Sequence, residues 1–255
     1  MKVLELYRFL NEKIPPSLSC EWDNDGLMCC PDGEREVKRV LVALDVTAAV
    51  AEEAIVGGYD VILSHHPLIF HPLKALNASD PVAKKAIRLM LAGVAVMSFH
   101  TRLDAVEGGV NDTLAAALGL FDVVPFGEGG ETIGRIGTLQ SPMTLDGFAL
   151  RVKDVTGAPA VEVADAGKEV LRVALLGGGG AGDADAARAA GADTYLTGEL
   201  KHNQLTDAPE CGMNLIAAGH FYTENLICER LAALTREADP NVSIYITNSN
   251  AVRMI

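Results

Sequence analysis

A strand, a helix and a second strand follow one another near the start of the chain. Residues 38–46 have the apolar pattern of a buried strand, residues 48–57 that of a helix ending at a Gly-Gly pair, and residues 59–64 that of another strand. Two strands joined by a helical crossover lie parallel in one sheet, because a tight hairpin cannot connect them. The pattern therefore restricts the chain to an α/β fold with a sheet that is at least partly parallel.

The same alternation continues and then restarts after a segment rich in glycine and turn residues at about 125–147, where we predict antiparallel or irregular strands. We predict two α/β halves, residues 1–124 and residues 125–239, with the C-terminal strand in 240–255 as a candidate to return to the first half. The further predicted helices are 3–13, 81–91, 111–118, 183–190 and 223–236, and the further strands are 94–99, 172–176, 192–197, 214–218 and 242–247.

The two halves contain similar segments in the same order. GYDVILSHH (58–66) aligns with GADTYLTGE (191–199), and a His-x3-acid motif occurs at His100–Asp104 and again at His220–Glu224. These alignments indicate an internal duplication. The alternative is that any two α/β segments align about as well.

Composition excludes several classes of protein. The chain has 255 residues, of which 49% are hydrophobic and 22% charged, as in a globular protein and unlike a disordered chain or a coiled coil. The net charge of −13 disfavours nucleic-acid binding. No apolar run is long enough for a membrane span, and the N-terminus lacks a secretory pattern. An odd number of cysteines favours reduced thiols, so we expect a cytoplasmic protein.

Histidines and carboxylates follow the ends of predicted strands, where open α/β sheets bind ligands. His65 and His66 come directly after one strand, while His100 and His220 each open a His-x3-acid motif after another. A single motif of this kind would favour capping and salt bridges. The combined set suffices instead for two divalent cations, and imidazole with carboxylate suits Zn, Fe, Mn, Co or Ni.

A glycine-rich loop allows a different interpretation. Gly177, Gly179 and Gly182 form G-x-G-x-x-G between a strand and a helix, and Glu199 follows about twenty residues later, which is the spacing of a dinucleotide site in an oxidoreductase. Acidic residues at the start of the helix disfavour phosphate binding there, so a tight turn or a lip of the metal site is the preferred interpretation. His71, His202 and Trp22 carry weaker signals. We expect surface positions for the histidines rather than a role beside the metals, and a packing anchor rather than a base-stacking residue for Trp22.

Several motifs together resemble those of a known family. LSHHPLIF (63–70), HTRLD (100–104) and GHFYTE (219–224) look like the signatures of the YbgI-like (Nif3-like) dinuclear-metal family, the type 2 GTP cyclohydrolase I homologues. EWDNDGL (21–27), VALDVT (42–47) and TGELKH (197–202) fit the same pattern, and the resemblance extends from about residue 5 to 255.

The resemblance implies two interlocked, similar α/β halves with the metal pair between them, and a toroidal homohexamer. In the metal site that the resemblance implies, Glu224 bridges the two metals. One metal is also bound by His66 and Asp104, and the other by His65 and His220. His100 lies beside the pair as a proton carrier. The implied metal ligands are therefore His65, His66, Asp104, His220 and Glu224, and the implied catalytic residues are His100 and Glu224.

The implied function is that of a hydrolase dependent on two divalent metal ions. Its expected substrate is a small molecule, a nucleotide or another phosphorylated metabolite, and the family name suggests hydrolytic opening of the purine ring of GTP. The same ligands would also serve a non-catalytic protein that stores metal or forms a scaffold ring.

Overall fold

The structure is a computed structural model that describes residues 1–127 and 132–252. Its strands are β1 (Gly26–Cys29), β2 (Arg39–Ala43), β3 (Val61–Ser64), β4 (Ala95–Ser98), β5 (Phe121–Phe126), β6 (Gly134–Met143), β7 (Glu162–Ala164), β8 (Val170–Leu176), β9 (Thr194–Thr197), β10 (Asn214–Ala217) and β11 (Ser243–Ile246). Its helices are α1 (Val3–Lys13), α2 (Ala48–Val56), α3 (Pro81–Leu91), α4 (Thr101–Ala105), α5 (Val110–Ala117), α6 (Leu145–Thr156), α7 (Ala184–Ala189), α8 (His202–Glu210), α9 (His220–Glu224) and α10 (Ile227–Ala238).

The chain divides into two compact units. The first contains Met1–Val106 and Ile227–Ala251, and the second contains Glu107–Leu226. The boundaries predicted from the sequence were residues 124 and 239. The unit boundaries lie earlier because α5 packs on β5, β6 and β8, whereas α10 packs on β2 and β11. The predicted α/β fold class is confirmed, since each unit contains a mixed sheet.

The first unit has a five-stranded sheet in the order β1-β4-β3-β2-β11. The strands β4, β3, β2 and β11 are parallel, and β1 is antiparallel to β4. Leu41, Ile62 and Val96 from three of these strands are fully buried in one cluster with Val50 of α2 and Leu89 of α3. Because β2, β3 and β4 are parallel and adjacent, their carboxyl ends lie at one edge of this sheet.

The second unit has a six-stranded sheet in the order β5-β6-β8-β9-β10-β7. Its centre is again three parallel strands, β8, β9 and β10, with antiparallel strands added on both sides. Phe148 of α6, Val173 of β8 and Ile216 of β10 are fully buried in one of its clusters.

The parallel strands of the two units are connected in the same way, which confirms the predicted duplication. In each unit, helices separate three parallel strands and a one-turn helix, α4 or α9, follows the third strand. An aspartate before the middle strand repeats the same contacts: Asp60 Oδ2 accepts the backbone N–H groups of residues 38–39 at 2.8 and 2.9 Å, and Asp193 Oδ2 those of residues 171–172 at 3.0 and 2.7 Å. Each aspartate thus fixes the start of the neighbouring strand.

The helix α3 has a side-chain cap at its first turn. α3 begins at Pro81 after Asp80, whose carboxylate accepts the backbone N–H groups of Val82 and Ala83, each at 2.8 Å. Such a cap stabilises a helix by about 1 kcal/mol. Across the described ranges, no helix combines the length and apolar character needed to cross a bilayer.

Candidate metal centre

His65 follows β3 and is fully buried. Its Nδ1 lies 2.9 Å from the carbonyl oxygen of Phe99, the residue after β4. Because a carbonyl oxygen only accepts hydrogen bonds, Nδ1 is the protonated nitrogen, and Nε2 carries the lone pair of the neutral ring. Nε2 lies 3.7 Å from Oδ1 of Asp104, which belongs to α4.

His66 is oriented by a carboxylate from the neighbouring strand. Its Nδ1 lies 2.7 Å from Oδ1 of Asp45, two residues after the end of β2. The parallel pairing of β2 with β3 places these residues at the same edge of the sheet. The carboxylate holds the proton on Nδ1, so Nε2 is again the nitrogen suited to a metal.

His100 precedes α4 and is oriented by a buried carboxylate. Its Nδ1 lies 2.8 Å from Oδ1 of Asp23, whose Oδ2 accepts the backbone N–H and the hydroxyl of Thr101 at 3.0 and 2.6 Å. Burial acts to raise the pKa of Asp23, but the hydrogen bonds from His100 and Thr101 outweigh it and lower that pKa to about 2. Asp23 is therefore ionised at neutral pH and keeps the proton of His100 on Nδ1.

The first unit brings these three imidazoles together. One ring nitrogen from each of His65, His66 and His100 lies within 4.8 Å of the others. In each ring Nδ1 is held by an oxygen acceptor, which leaves Nε2 available, and imidazole nitrogens suit Zn, Fe, Mn, Co or Ni. The residues of this unit therefore fit a divalent transition metal.

The second unit places a histidine and a glutamate one turn apart. His220 and Glu224 are the first and last residues of α9, and His220 Nε2 lies 3.1 Å from Oε2 of the buried Glu224. His220 Nδ1 lies 3.3 Å from Oε1 of Glu199, two residues after β9. Both ring nitrogens of His220 thus face a carboxylate, and the contact with Glu199 is longer than the hydrogen bonds that orient the three histidines of the first unit.

Glycines leave the space that His220 and Glu224 occupy. A Cβ on Gly178, which has φ +64°, would lie 2.0 Å from Oε1 of Glu224 and 2.9 Å from Nε2 of His220. A Cβ on Gly198 would lie 2.8 Å from the Cα of His220. Side chains at these positions would overlap the candidate ligands, so one function of the glycine-rich loop is to make room for them.

The same loop is poorly suited to a dinucleotide. The backbone N–H groups of Gly177, Gly178 and Gly180 already donate to the side chains of Asn111, Thr223 and Thr197 at 2.8, 3.0 and 3.1 Å. A pyrophosphate needs such N–H groups as donors. The structure therefore favours the tight-turn interpretation of this loop over the dinucleotide interpretation.

The remaining residues singled out from the sequence are not part of the candidate metal centre. His71 and His202 are exposed, as expected, and belong to none of the possible metal-binding groups among the described residues. The prediction that Trp22 is a packing anchor is wrong, since 60% of the side chain is exposed. Burial and the neighbouring Cys30 raise the pKa of the Cys29 thiol to about 11, so at neutral pH it is not a thiolate ligand.

Three functional residues were not recognised from the sequence. Asp23, Asp45 and Glu199 hold the Nδ1 atoms of His100, His66 and His220. The signal available was their position, because Asp45 lies at the end of the predicted strand 38–46 and Glu199 follows the predicted strand 192–197 by two residues. Acidic residues are common in such turns, so position alone did not assign them this role.

Comparisons with known proteins agree with the motifs. The chain matches the family described as Duf34/NIF3 (NGG1p interacting factor 3) over residues 1–252. A Nostoc sp. protein named "GTP cyclohydrolase 1 type 2 homolog" is 38% identical over 92% of each chain, and the Schizosaccharomyces pombe "Protein NIF3 homolog" is 32% identical over 92% of this chain and 91% of the other. The crystal structure of a Bacillus cereus protein related to NIF3 superposes with a TM-score of 0.89 at 25% identity, covering 100% of this chain and 99% of the other.

Proposed function

The chain belongs to the Duf34/NIF3 family, and from this membership and its oriented histidines we propose that it is a hydrolase dependent on two divalent metal ions. The resemblance seen in the sequence is thereby confirmed at the level of the family. The proposed substrate is a nucleotide or another phosphorylated metabolite, in line with the name of the Nostoc relative.

The observation that carries the proposal is the orientation of four imidazoles. His65, His66 and His100 form hydrogen bonds through Nδ1 to Phe99 O, Asp45 and Asp23. Nδ1 of His220 faces a carboxylate as well, 3.3 Å from Oε1 of Glu199. Histidines that bind metals through Nε2 are held in this way, because the hydrogen bond fixes both the tautomer and the ring plane. Capping or isolated salt bridges would not require the same nitrogen to be engaged in all four.

We assign the ligands as the family resemblance implies. Glu224 would bridge the two ions, His66 and Asp104 would complete one site, and His65 and His220 the other. Two divalent ions, when bound, lower the pKa of a coordinated water and polarise a carbonyl or phosphoryl oxygen of the substrate.

The chain's own residues would supply the proton transfers. Asp23 keeps the proton of His100 on Nδ1, which leaves Nε2 to accept a proton from water and return it to the leaving group. Asp45 and Glu199 would hold His66 and His220 in place throughout. We further propose that the protein works in the cytoplasm as a toroidal homohexamer, which light scattering of the purified protein would test.

The first experiment is metal content by mass spectrometry on untagged protein reconstituted with Zn, Mn and Fe in turn. We expect about two ions per chain, and loss of metal in Glu224→Gln and His65→Ala. The exposed Glu229→Gln and His202→Ala are matched controls that should retain it.

Turnover then separates the two functions that share these ligands. Nucleotides and other phosphorylated metabolites are incubated with the metal-loaded protein, and released products are measured. Hydrolysis that is lost in Glu224→Gln supports the enzyme. Metal binding without turnover on the panel would support a metal-storage or scaffold protein, and no metal after reconstitution would refute both.

A further inference from the structure

Two exposed aromatic rings lie beside His100 in the first unit. Trp22 is 60% exposed and Phe70 is 38% exposed. The ring centroids of Trp22 and Phe70 are 6.1 Å apart. The ring centroid of His100 lies 6.2 Å from that of Trp22 and 5.8 Å from that of Phe70. Large aromatic side chains left in water forgo the free energy of burial, so an exposed pair next to a candidate catalytic imidazole calls for a binding partner.

The segment that carries Trp22 is held in place by its neighbours. The side chain of Asp23 is fully buried and binds both His100 and Thr101. On the other side of Trp22, the backbone N–H of Cys20 donates to the hydroxyl of Thr101 at 3.0 Å. The indole is therefore attached to backbone that is fixed on both sides.

A second contact ties Trp22 to Phe70. The side-chain amide of Asn24, two residues after Trp22, donates to the backbone carbonyl of Ile69, the residue before Phe70. The separation of the two rings is thus set by the backbone of both segments. Rings that are already positioned lose little conformational freedom on binding, which favours affinity for a flat ligand.

The mutual orientation of the rings indicates what they would bind. The planes of Trp22 and Phe70 are inclined at 70°, and those of Phe70 and His100 at 86°. An edge-to-face contact covers at most one face of the ring that receives the edge, which leaves area on which a flat ring can stack. The ring of Phe70 also contacts His71, with centroids 4.7 Å apart and planes inclined at 61°. Stacking on indole suits a heteroaromatic base better than an aliphatic group, because both partners present π-faces.

We propose that Trp22 and Phe70 form a stacking site for the purine ring of the substrate and hold that ring next to His100. The inference rests on the proposed function for the role of His100, but the stacking itself needs no metal. It narrows the substrate from phosphorylated metabolites in general to purine nucleotides.

The test uses the fluorescence of Trp22, which is the only tryptophan in the chain. The intact protein is titrated with GTP and, as a probe without a ring, with tripolyphosphate, with excitation at the red edge of indole absorption where purines do not absorb. We expect saturable quenching by GTP and none by tripolyphosphate. Equal quenching by both, or no quenching by GTP, ATP or NAD, would overturn the proposal.

Variants test the two rings separately. Phe70→Leu keeps the fluorescent reporter and should weaken GTP binding about tenfold, whereas Phe121→Leu, at another exposed phenylalanine, should leave it unchanged. Calorimetry should show a loss of about tenfold to a hundredfold for Trp22→Ala and a smaller loss for Trp22→Tyr. Wild-type affinity in Trp22→Ala would refute the stacking site.

Metal content measured on the same preparations distinguishes the two proposals. Quenching by GTP in protein that binds no metal would support the stacking site and refute the metal-dependent hydrolase. Full metal content without quenching would do the reverse.

Discussion

Gly178→Ala tests whether the glycine-rich loop exists to make room for Glu224. The new Cβ would lie 2.0 Å from Oε1 and 2.8 Å from Cδ of that carboxylate, whereas real Cβ contacts essentially never fall under 3.0 Å. The carboxylate must therefore move by at least about 1 Å. A metal–ligand distance tolerates a change of only about 0.2 Å, so this shift would disturb metal binding. The Cβ would also lie 2.9 Å from Nε2 of His220, so the imidazole is crowded as well.

The expected effect on folding is small. Placing alanine at φ +64° costs about 1–2 kcal/mol, since Cβ crowds the following carbonyl in the left-handed region. For a protein of this size that lowers Tm by about 2–8 °C. Glu224 relieves the overlap itself because its carboxylate is the far end of a flexible side chain. The loss in metal affinity, in contrast, should be tenfold to a hundredfold or more, by analogy with other disturbed ligands (about 1.4–2.8 kcal/mol).

The assay pairs thermal unfolding with metal titration against a chromogenic chelator. Gly167→Ala is the matched control, because Gly167 has φ +70° and nothing within 4 Å of a built Cβ. It should show the same loss of Tm and no loss of metal. The reasoning is refuted if Gly178→Ala binds metal as tightly as wild type, or if Gly167→Ala loses metal to the same extent.

Two further substitutions test the first unit. Asp45→Asn should weaken metal binding about tenfold to a hundredfold with little change in Tm, because it disturbs the hydrogen bond that orients His66, while the exposed Asp146→Asn should change neither. Arg102→Met should cost about 3–5 kcal/mol in urea unfolding, since it leaves Asp25 buried without the guanidinium that binds it at 2.8 Å, and a loss no larger than that of the exposed Arg188→Met would contradict this.

The parallel strands and their helices could be predicted from the sequence because apolar runs and breakers mark them plainly. The predicted helices 3–13 and 81–91 coincide with α1 and α3. The predicted strand 94–99 extends one residue beyond β4 at each end, and 214–218 extends one residue beyond β10 at its C-terminal end. In each case the hydrophobic pattern of the segment and the secondary-structure propensity of its residues favour the same element, so the prediction from the sequence is reliable there.

Three helices were missed, namely the short α4 and the longer α6 and α8, and the sequences of the two longer ones carry weak signals. α6 (145–156) begins within the segment predicted as turns and strands, and its first turn contains Asp146 and Gly147, which are poor helix formers. α8 (202–210) buries none of its residues and contains Pro209 near its end. The segment 223–236, predicted as one helix, consists of the end of α9 and most of α10.

The duplication explains which part of the site the sequence could reveal. Aligned by the offset of 120 residues, His100 and Asp104 correspond to His220 and Glu224, so both one-turn helices kept a histidine and an acid. Aligned by the offset of 133 residues, His65 and His66 correspond to Gly198 and Glu199. The second unit cannot carry an imidazole at the first of these positions, because a Cβ on Gly198 would lie 2.8 Å from the Cα of His220. The two units therefore differ after these strands: two histidines that are candidate metal ligands follow β3, whereas a glycine and the carboxylate of Glu199 follow β9. A motif search finds the residues that stayed alike, whereas Asp23, Asp45 and Glu199 become visible only through the ring nitrogens that they hold.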